Sequence, residues 1–140
     1  MPYLDTSVLV AALTAEVETA RVQSWLARQE VGTLVISAWV ATEFSAALSI
    51  KARMGHLGTG HRTAALAAFS RLSAESFVLL PVPESAFREA SQFADRSELG
   101  LRAGDALHLA ILAEAGLALA TLDRKLAQTG AALGIPIAHL

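Results

Sequence analysis

The chain has four aspartates, and three of them together with one glutamate have positions that suit catalysis. The aspartates are Asp5, Asp95, Asp105 and Asp123, and the glutamate is Glu43. Asp5 and Asp123 follow strand-like apolar runs and Asp105 begins a helical pattern, whereas Asp95 falls inside one. Carboxylates that converge repel each other, and a hard divalent cation such as Mg²⁺ or Mn²⁺ relieves that repulsion. The pattern therefore predicts a metal pocket made of Asp5, Glu43, Asp105 and Asp123.

Helix capping is the alternative explanation for the aspartates. An aspartate just before a helix accepts hydrogen bonds from free amides and complements the helix dipole. Asp123 fits this role well, because "TLDRKLAQTGAALG" reads as a capped helix ending near Gly134. Thr6 and Ser7 can cap the helix after Asp5, and that would free the Asp5 carboxylate for another role. Both explanations stay open at Asp5 and Asp123.

Glu43 is the acid that capping does not explain. It lies inside the helical pattern "AWVATEFSAALSIKARM", and the neighbours on its face are apolar. These neighbours are Trp39, Val40, Ala46 and Ala47, with Ile36 and Ile50 one turn further. A carboxylate on such a stripe is costly to bury unless it is paired, protonated or bound to a cation. The alternatives are an arginine partner, Arg53 or Arg102, and a site at the junction of helix and sheet, which we favour.

Asp105 also interrupts a surface that is otherwise apolar, in the segment "LRAGDALHLAILAEAG". His108 lies one turn further along this helix. A single histidine on a buried helix more often hydrogen-bonds a backbone or carboxylate group than binds a metal. A supporting role behind a metal-binding acid is therefore one possibility for His108.

The elements that must position these acids alternate between strands and helices. The first strand-like run contains Leu4, and three more cover 33–37, 77–80 and 117–121. A weaker fifth run covers 135–140, where Pro136 belongs on a sheet edge. Helical patterns cover 7–14, 16–30, 38–54, 59–75, 84–99, 104–115 and 123–133. Apolar strands separated by helices are typical of parallel sheets. We predict one three-layer α/β/α domain over residues 1–140 with about five parallel strands, whose carboxyl ends carry the site.

Composition limits what this domain can bind. With 54% hydrophobic and 17% charged residues, the 140-residue chain can pack a substantial core. A net charge of −2 argues against binding nucleic acid through bulk positive charge, so any phosphate contact must be local or metal-mediated. The absence of cysteine excludes disulfides and thiolate metal sites. Since no signal peptide or membrane span is recognisable, we predict a cytoplasmic protein.

Four segments, taken in order, resemble PIN-domain ribonucleases, specifically bacterial toxins of the VapC type: "LDTSVLV", "ATEF", "LRAGDALHLA" and "TLDRKL". The resemblance implies an endoribonuclease dependent on Mg²⁺ or Mn²⁺ that forms a homodimer and is inhibited by a small VapB-like antitoxin. Carried over by position, it makes Asp5 and Asp105 the principal metal ligands and Glu43 and Asp123 the supporting ones. It also places supporting hydroxyls at Thr6, Ser7 and Thr121.

On this hypothesis the acids hold one or two ions that orient a water for attack on an RNA phosphodiester, with Asp123 or Glu43 positioning the water. Arg102, Arg124 and Lys125 flank the acids but are equally well explained as solvated surface charges. Two other functions stay open. An aspartyl phosphatase similar to the haloacid dehalogenases would use Asp5 as nucleophile, although it normally needs an acid where Ser7 stands. A non-catalytic, receiver-like metal-binding module would turn over nothing.

Overall fold

Four parallel strands form the central sheet of the computed structural model, which describes residues 1–140. They are β1 (Pro2–Leu4), β2 (Leu34–Ser37), β3 (Phe77–Leu80) and β4 (Ala118–Ala120), in the order β3-β2-β1-β4. Tyr3 is in register with Val35 on one side and with Leu119 on the other. The chain thus builds outward from β1 through β2 and β3 and then returns to the opposite side of β1. The order reverses between β1 and β4, which is where open parallel sheets place their ligands.

Seven α-helices flank the sheet, and together they form the three-layer α/β/α architecture that was predicted. They are α1 (Thr6–Leu13), α2 (Thr19–Ala27), α3 (Ala38–Arg53), α4 (Thr59–Glu75), α5 (Glu84–Asp95), α6 (Ala103–Ala115) and α7 (Arg124–Ala132). Helix α6 is buried around most of its circumference from Ala106 to Leu112, as expected for a helix that is apolar on all sides. It ends at Gly116, whose φ of 67° favours glycine.

The core contains 28 buried hydrophobic residues drawn from both sides of the sheet. Phe44 of α3 is fully buried and stacks on Phe69 of α4 with ring centroids 4.5 Å apart. This contact packs α3 against α4, the two helices joined by the turn that contains Gly55. No helix of the structure combines the length and apolarity needed to cross a membrane.

Two element boundaries and the fifth strand differ in detail from the predictions. Helix α2 is shorter than the predicted 16–30, and the predicted helix 84–99 ends at Asp95, after which Ser97–Leu99 forms a 3₁₀ turn. The fifth strand is reduced to a single parallel bridge between Leu119 and Ile137. Pro136 accepts a hydrogen bond from the Leu119 amide at 2.8 Å but has no amide of its own to extend the pairing.

Candidate metal pocket

Three of the predicted acids line one cavity of about 400 Å³. Its wall consists of Trp39, Glu43, Gly100, Arg102, Gly104, Asp105, Asp123 and Lys125. Glu43 comes from the helix after β2, Asp105 from the first turn of α6, and Asp123 from the segment after β4. Elements that follow β2 and β4, together with the N-terminus of α6, therefore bring together three of the four predicted acids, which span 80 positions of the sequence.

Asp5 does not line this cavity and is only 5% exposed. One carboxylate oxygen, Oδ1, accepts from the Ser7 amide at 3.0 Å and the Ser7 hydroxyl at 2.5 Å. The other, Oδ2, accepts from the Thr121 hydroxyl at 2.7 Å. Asp5 is thus itself the N-cap of α1, so the alternative in which Thr6 or Ser7 caps the helix in its place was wrong. Ser7 instead accepts from the Leu122 amide at 3.0 Å, which ties the end of β1 to the end of β4.

Glu43 has a histidine partner instead of an arginine. Its Oε1 accepts from the Thr6 hydroxyl at 2.8 Å and is hydrogen-bonded to Nε2 of His108. The alternative that Arg53 or Arg102 pairs with Glu43 was therefore wrong. The side chain of Glu43 is 28% exposed, because it lies at the border of the core and not within it. Of the three predicted supporting hydroxyls, Ser7 and Thr121 contact Asp5, whereas Thr6 contacts Glu43.

Asp105 and Asp123 differ in exposure. Asp105 is half-buried, and burial together with the nearby charges of Asp123 and Glu43 raises its pKa above the ordinary value. Asp123 is exposed and caps α7 by accepting from the Leu126 amide at 3.1 Å. Capping and a place in the cavity wall are therefore compatible at Asp123. A cluster of acids whose negative charges repel each other favours a bound cation.

Two cations share the cavity wall with the acids. Arg102 and Lys125 both line it, and the Lys125 ammonium donates to the Gly100 carbonyl at 3.0 Å. That hydrogen bond holds the 3₁₀ segment next to α7. Arg124, the third cation weighed from the sequence, is not part of the cavity wall.

The donor set of the cavity fits a hydrated Mg²⁺ or Mn²⁺ ion. Its acidic groups are carboxylates, and these ions prefer oxygen ligands and commonly bind through one or two carboxylates plus several waters. No group of three or more histidine, cysteine, aspartate or glutamate side chains is placed to hold a metal ion together. The geometry therefore agrees with partial ligation by protein and does not provide a closed cage.

The sequence did not identify Tyr3, Ser37 or Gly104 as neighbours of the site. The Tyr3 hydroxyl lies 2.8 Å from Ser37 Oγ and 2.8 Å from His108 Nδ1. A usable signal was present, because Tyr3 is the one tyrosine of the chain and stands in a buried strand, where its hydroxyl needs a partner. A β-carbon added at Gly104 would lie 2.9 Å from Glu43 Oε2, so this glycine permits the close approach of α3 and α6.

The burial of Asp5 leads to a prediction about pH. Burial is the largest influence on its pKa and raises it, while the hydrogen bonds from Ser7 and Thr121 lower it in part. At pH values above the ordinary pKa of 3.8, Asp5 therefore holds a proton more often in the folded state than in the unfolded state. The contribution of this group to folding stability consequently falls as the pH rises. In buffer that contains a metal chelator, the free energy of unfolding of Asp5→Asn relative to that of the native chain should increase from pH 4 toward pH 7. Urea unfolding at each pH measures it, with the exposed Asp95→Asn as control; an advantage independent of pH would contradict the assignment.

Architecture and cavity together define a class: parallel α/β proteins with an acidic pocket at the carboxyl ends of their strands. Within that class, the chain belongs to the PIN domain family, whose model matches residues 3–132. The match confirms the family resemblance seen in the sequence. PIN-domain nucleases generally use divalent metal ions. No curated protein matches the chain in sequence.

Solved structures with the same fold agree with this family. VapC20 of Mycobacterium tuberculosis, described as a sarcin-ricin loop cleaving toxin, is 20% identical with a TM-score of 0.76 and covers 100% of both chains. PAE2754 of Pyrobaculum aerophilum is 28% identical with a TM-score of 0.67, over 92% of this chain and 84% of that one. A toxin-antitoxin complex from Klebsiella pneumoniae is 17% identical with a TM-score of 0.59, over 88% and 87%.

Proposed function

We propose that this chain is a Mg²⁺- or Mn²⁺-dependent endoribonuclease, the VapC-type toxin of a toxin-antitoxin pair. The observation that carries the proposal is the shared cavity of Glu43, Asp105 and Asp123 in a PIN-domain chain, with Arg102 and Lys125 in its wall. Acids suit a divalent cation, and the flanking cations suit the phosphates of a nucleic acid. This combination explains how a chain with a net charge of −2 can act on RNA.

The proposal assigns Asp5 and Asp105 as principal metal ligands and Glu43 and Asp123 as supporting ones. When bound, the ion supplies an activated water and neutralises charge on the phosphoryl group. The chain's own part is to hold the carboxylates: Ser7 and Thr121 fix Asp5 by donating to its two oxygens. The assignment of Asp5, which lies outside the cavity wall, rests on the family resemblance and on its place between β1 and β4.

The structural relatives and the family support the proposed partners. A sarcin-ricin loop cleaving toxin and a toxin-antitoxin complex share the fold, which supports RNA as the substrate and a VapB-like antitoxin as the inhibitor. We further propose that the chain acts in the cytoplasm as a homodimer of single-domain subunits.

The phosphatase alternative gains no support from the geometry. Both carboxylate oxygens of Asp5 accept hydrogen bonds and the residue is 5% exposed, so it is poorly placed to attack a phosphate ester. Ser7, at the position where a general acid is expected, donates to Asp5.

Incubation of the purified chain with total RNA tests the proposal. Fragments should accumulate with Mg²⁺ or Mn²⁺ and should be absent when a chelator is present, because the carboxylates alone leave the charge on the phosphate uncompensated. Cleavage that persists in chelator would contradict the metal mechanism. Mn²⁺ binding without hydrolysis of any RNA would favour the non-catalytic module instead.

A further inference from the structure

A line of buried hydrogen bonds runs from the acidic cavity into the core. His108 is 1% exposed, and its Nε2 bonds to Oε1 of Glu43 in the cavity wall. On the other side of the ring, Nδ1 lies 2.8 Å from the hydroxyl of Tyr3, which lies 2.8 Å from Oγ of Ser37. Tyr3 and Ser37 are both fully buried in adjacent strands. The imidazole is therefore fixed at both nitrogens by groups that belong to different elements.

The direction of these hydrogen bonds follows from what each group can donate. An ionised carboxylate only accepts, so Nε2 of His108 must carry a hydrogen to bond with Glu43. In the neutral imidazole, Nδ1 then accepts from the Tyr3 hydroxyl, and the Tyr3 oxygen accepts from Ser37. A tyrosine hydroxyl carries its hydrogen at neutral pH, so the Tyr3 hydroxyl can donate. Each nitrogen and oxygen from Ser37 Oγ to Glu43 Oε1 then has a hydrogen-bond partner.

The two oxygens of Glu43 are held differently. Oε1 accepts from both Thr6 and His108, whereas Oε2 accepts no hydrogen bond from the protein. Oε2 lies against Gly104, where an added β-carbon would approach to 2.9 Å. The Glu43 carboxylate is thus held through the hydrogen bonds to Oε1 and confined by the backbone of α6, whereas Oε2 has no hydrogen-bond partner in the protein.

We infer that His108 is a positioning residue of the pocket: it holds Glu43 through Oε1 and leaves Oε2 available to a divalent cation or to its bound water. Tyr3 and Ser37 fix the orientation and tautomer of the imidazole. The inference rests on the proposed function, because that proposal assigns Glu43 to the metal. This positioning role differs from core packing, because a side chain that only packs in the core does not need a hydrogen-bond donor at Nε2.

Two substitutions at His108 and a matched control test this role through Mn²⁺ affinity, measured by calorimetry without RNA. His108→Leu removes the donor and should weaken Mn²⁺ binding by about tenfold or more, as loss of groups that orient metal ligands typically does. His108→Gln keeps an N–H donor and should recover most of the affinity. Ile111→Ala, a buried position on the same helix outside the hydrogen-bond line, should lower stability but leave Mn²⁺ affinity unchanged.

Tyr3→Phe provides a second variant if His108→Leu fails to fold. It removes only the hydroxyl that fixes the ring, and we expect a loss of Mn²⁺ affinity smaller than that of His108→Leu. Nitrogen-15 NMR of the metal-free native chain should show hydrogen on Nε2 and none on Nδ1 of His108. Hydrogen on Nδ1 would overturn the proposed direction of the line.

The outcomes separate this inference from the ribonuclease proposal. Native affinity in His108→Leu, or an equal loss in His108→Leu, His108→Gln and Ile111→Ala, would overturn the positioning role even if the chain cleaves RNA. Mn²⁺ binding that depends on His108 in a chain that cleaves no RNA would support the positioning role and reject the ribonuclease. A native chain that binds no Mn²⁺ would reject both.

Discussion

Asp105→Asn should lower the rate of metal-dependent RNA cleavage by about 10³-fold, because a metal supplies several kcal/mol of charge stabilisation and each 1.4 kcal/mol is about tenfold in rate. The substitution keeps the shape of the side chain and removes one negative charge from the cavity wall. Single-turnover cleavage of labelled RNA at saturating Mn²⁺ measures the effect.

Folding does not confound this result. Burial and the charges of Asp123 and Glu43 raise the pKa of Asp105, so a neutral amide relieves repulsion in the metal-free protein, and thermal stability should be preserved. Asp95→Asn is the matched control, since it makes the same change at an exposed position on α5 and should leave cleavage unchanged. Full activity in Asp105→Asn would reject the assignment of this acid.

Phe44→Ala should lower the free energy of unfolding by about 3–5 kcal/mol, the usual loss for a large aromatic removed from a core. Phe44 is fully buried and stacks on Phe69, so the smaller side chain leaves a cavity between α3 and α4. A loss of that size is a large part of the roughly 5–15 kcal/mol that stabilise a typical domain. Urea unfolding followed by circular dichroism measures it.

Phe87→Ala provides the comparison for this core prediction. Phe87 lies on α5 and is 54% exposed, so its removal should change stability by no more than about 0.5 kcal/mol. A loss in Phe44→Ala as small as the one expected for Phe87→Ala would mean that the packing of Phe44 contributes little. Because Phe44 directly follows Glu43, its packing also sets where α3 presents that acid.

Much of the architecture was predictable because apolar runs and helical periods are local signals. They identified all four strands. Of the four acids expected to converge, Glu43, Asp105 and Asp123 share one cavity, whereas Asp5, which directly follows β1, lies outside its wall. The partner of Glu43 was not predictable in this way, because it depends on how α3 packs against α6, and His108 lies 65 residues away. The arginine alternative failed because it considered charge without the packing of the helices.

The different roles of Thr6 and Ser7 also required the folded structure. Successive residues of a helix point about 100° apart, given 3.6 residues per turn. Thr6 therefore reaches Glu43, while Ser7 reaches Asp5 and the end of β4. Spacing identified both as hydroxyls near the first acid but gave no information on which acid each would contact.

The central place of β1 has a consequence for how the protein is made. β1 is complete at residue 4, yet its partner β4 spans Ala118–Ala120, so this pairing closes one of the longest loops in the chain. Contacts between such distant segments slow folding, and synthesis proceeds from the N-terminus. A nascent chain that has not yet reached Asp123 cannot have a complete acidic cavity. The hydrolytic activity proposed for this protein would therefore be withheld until β4 and Asp123 are synthesised and β4 has paired with β1.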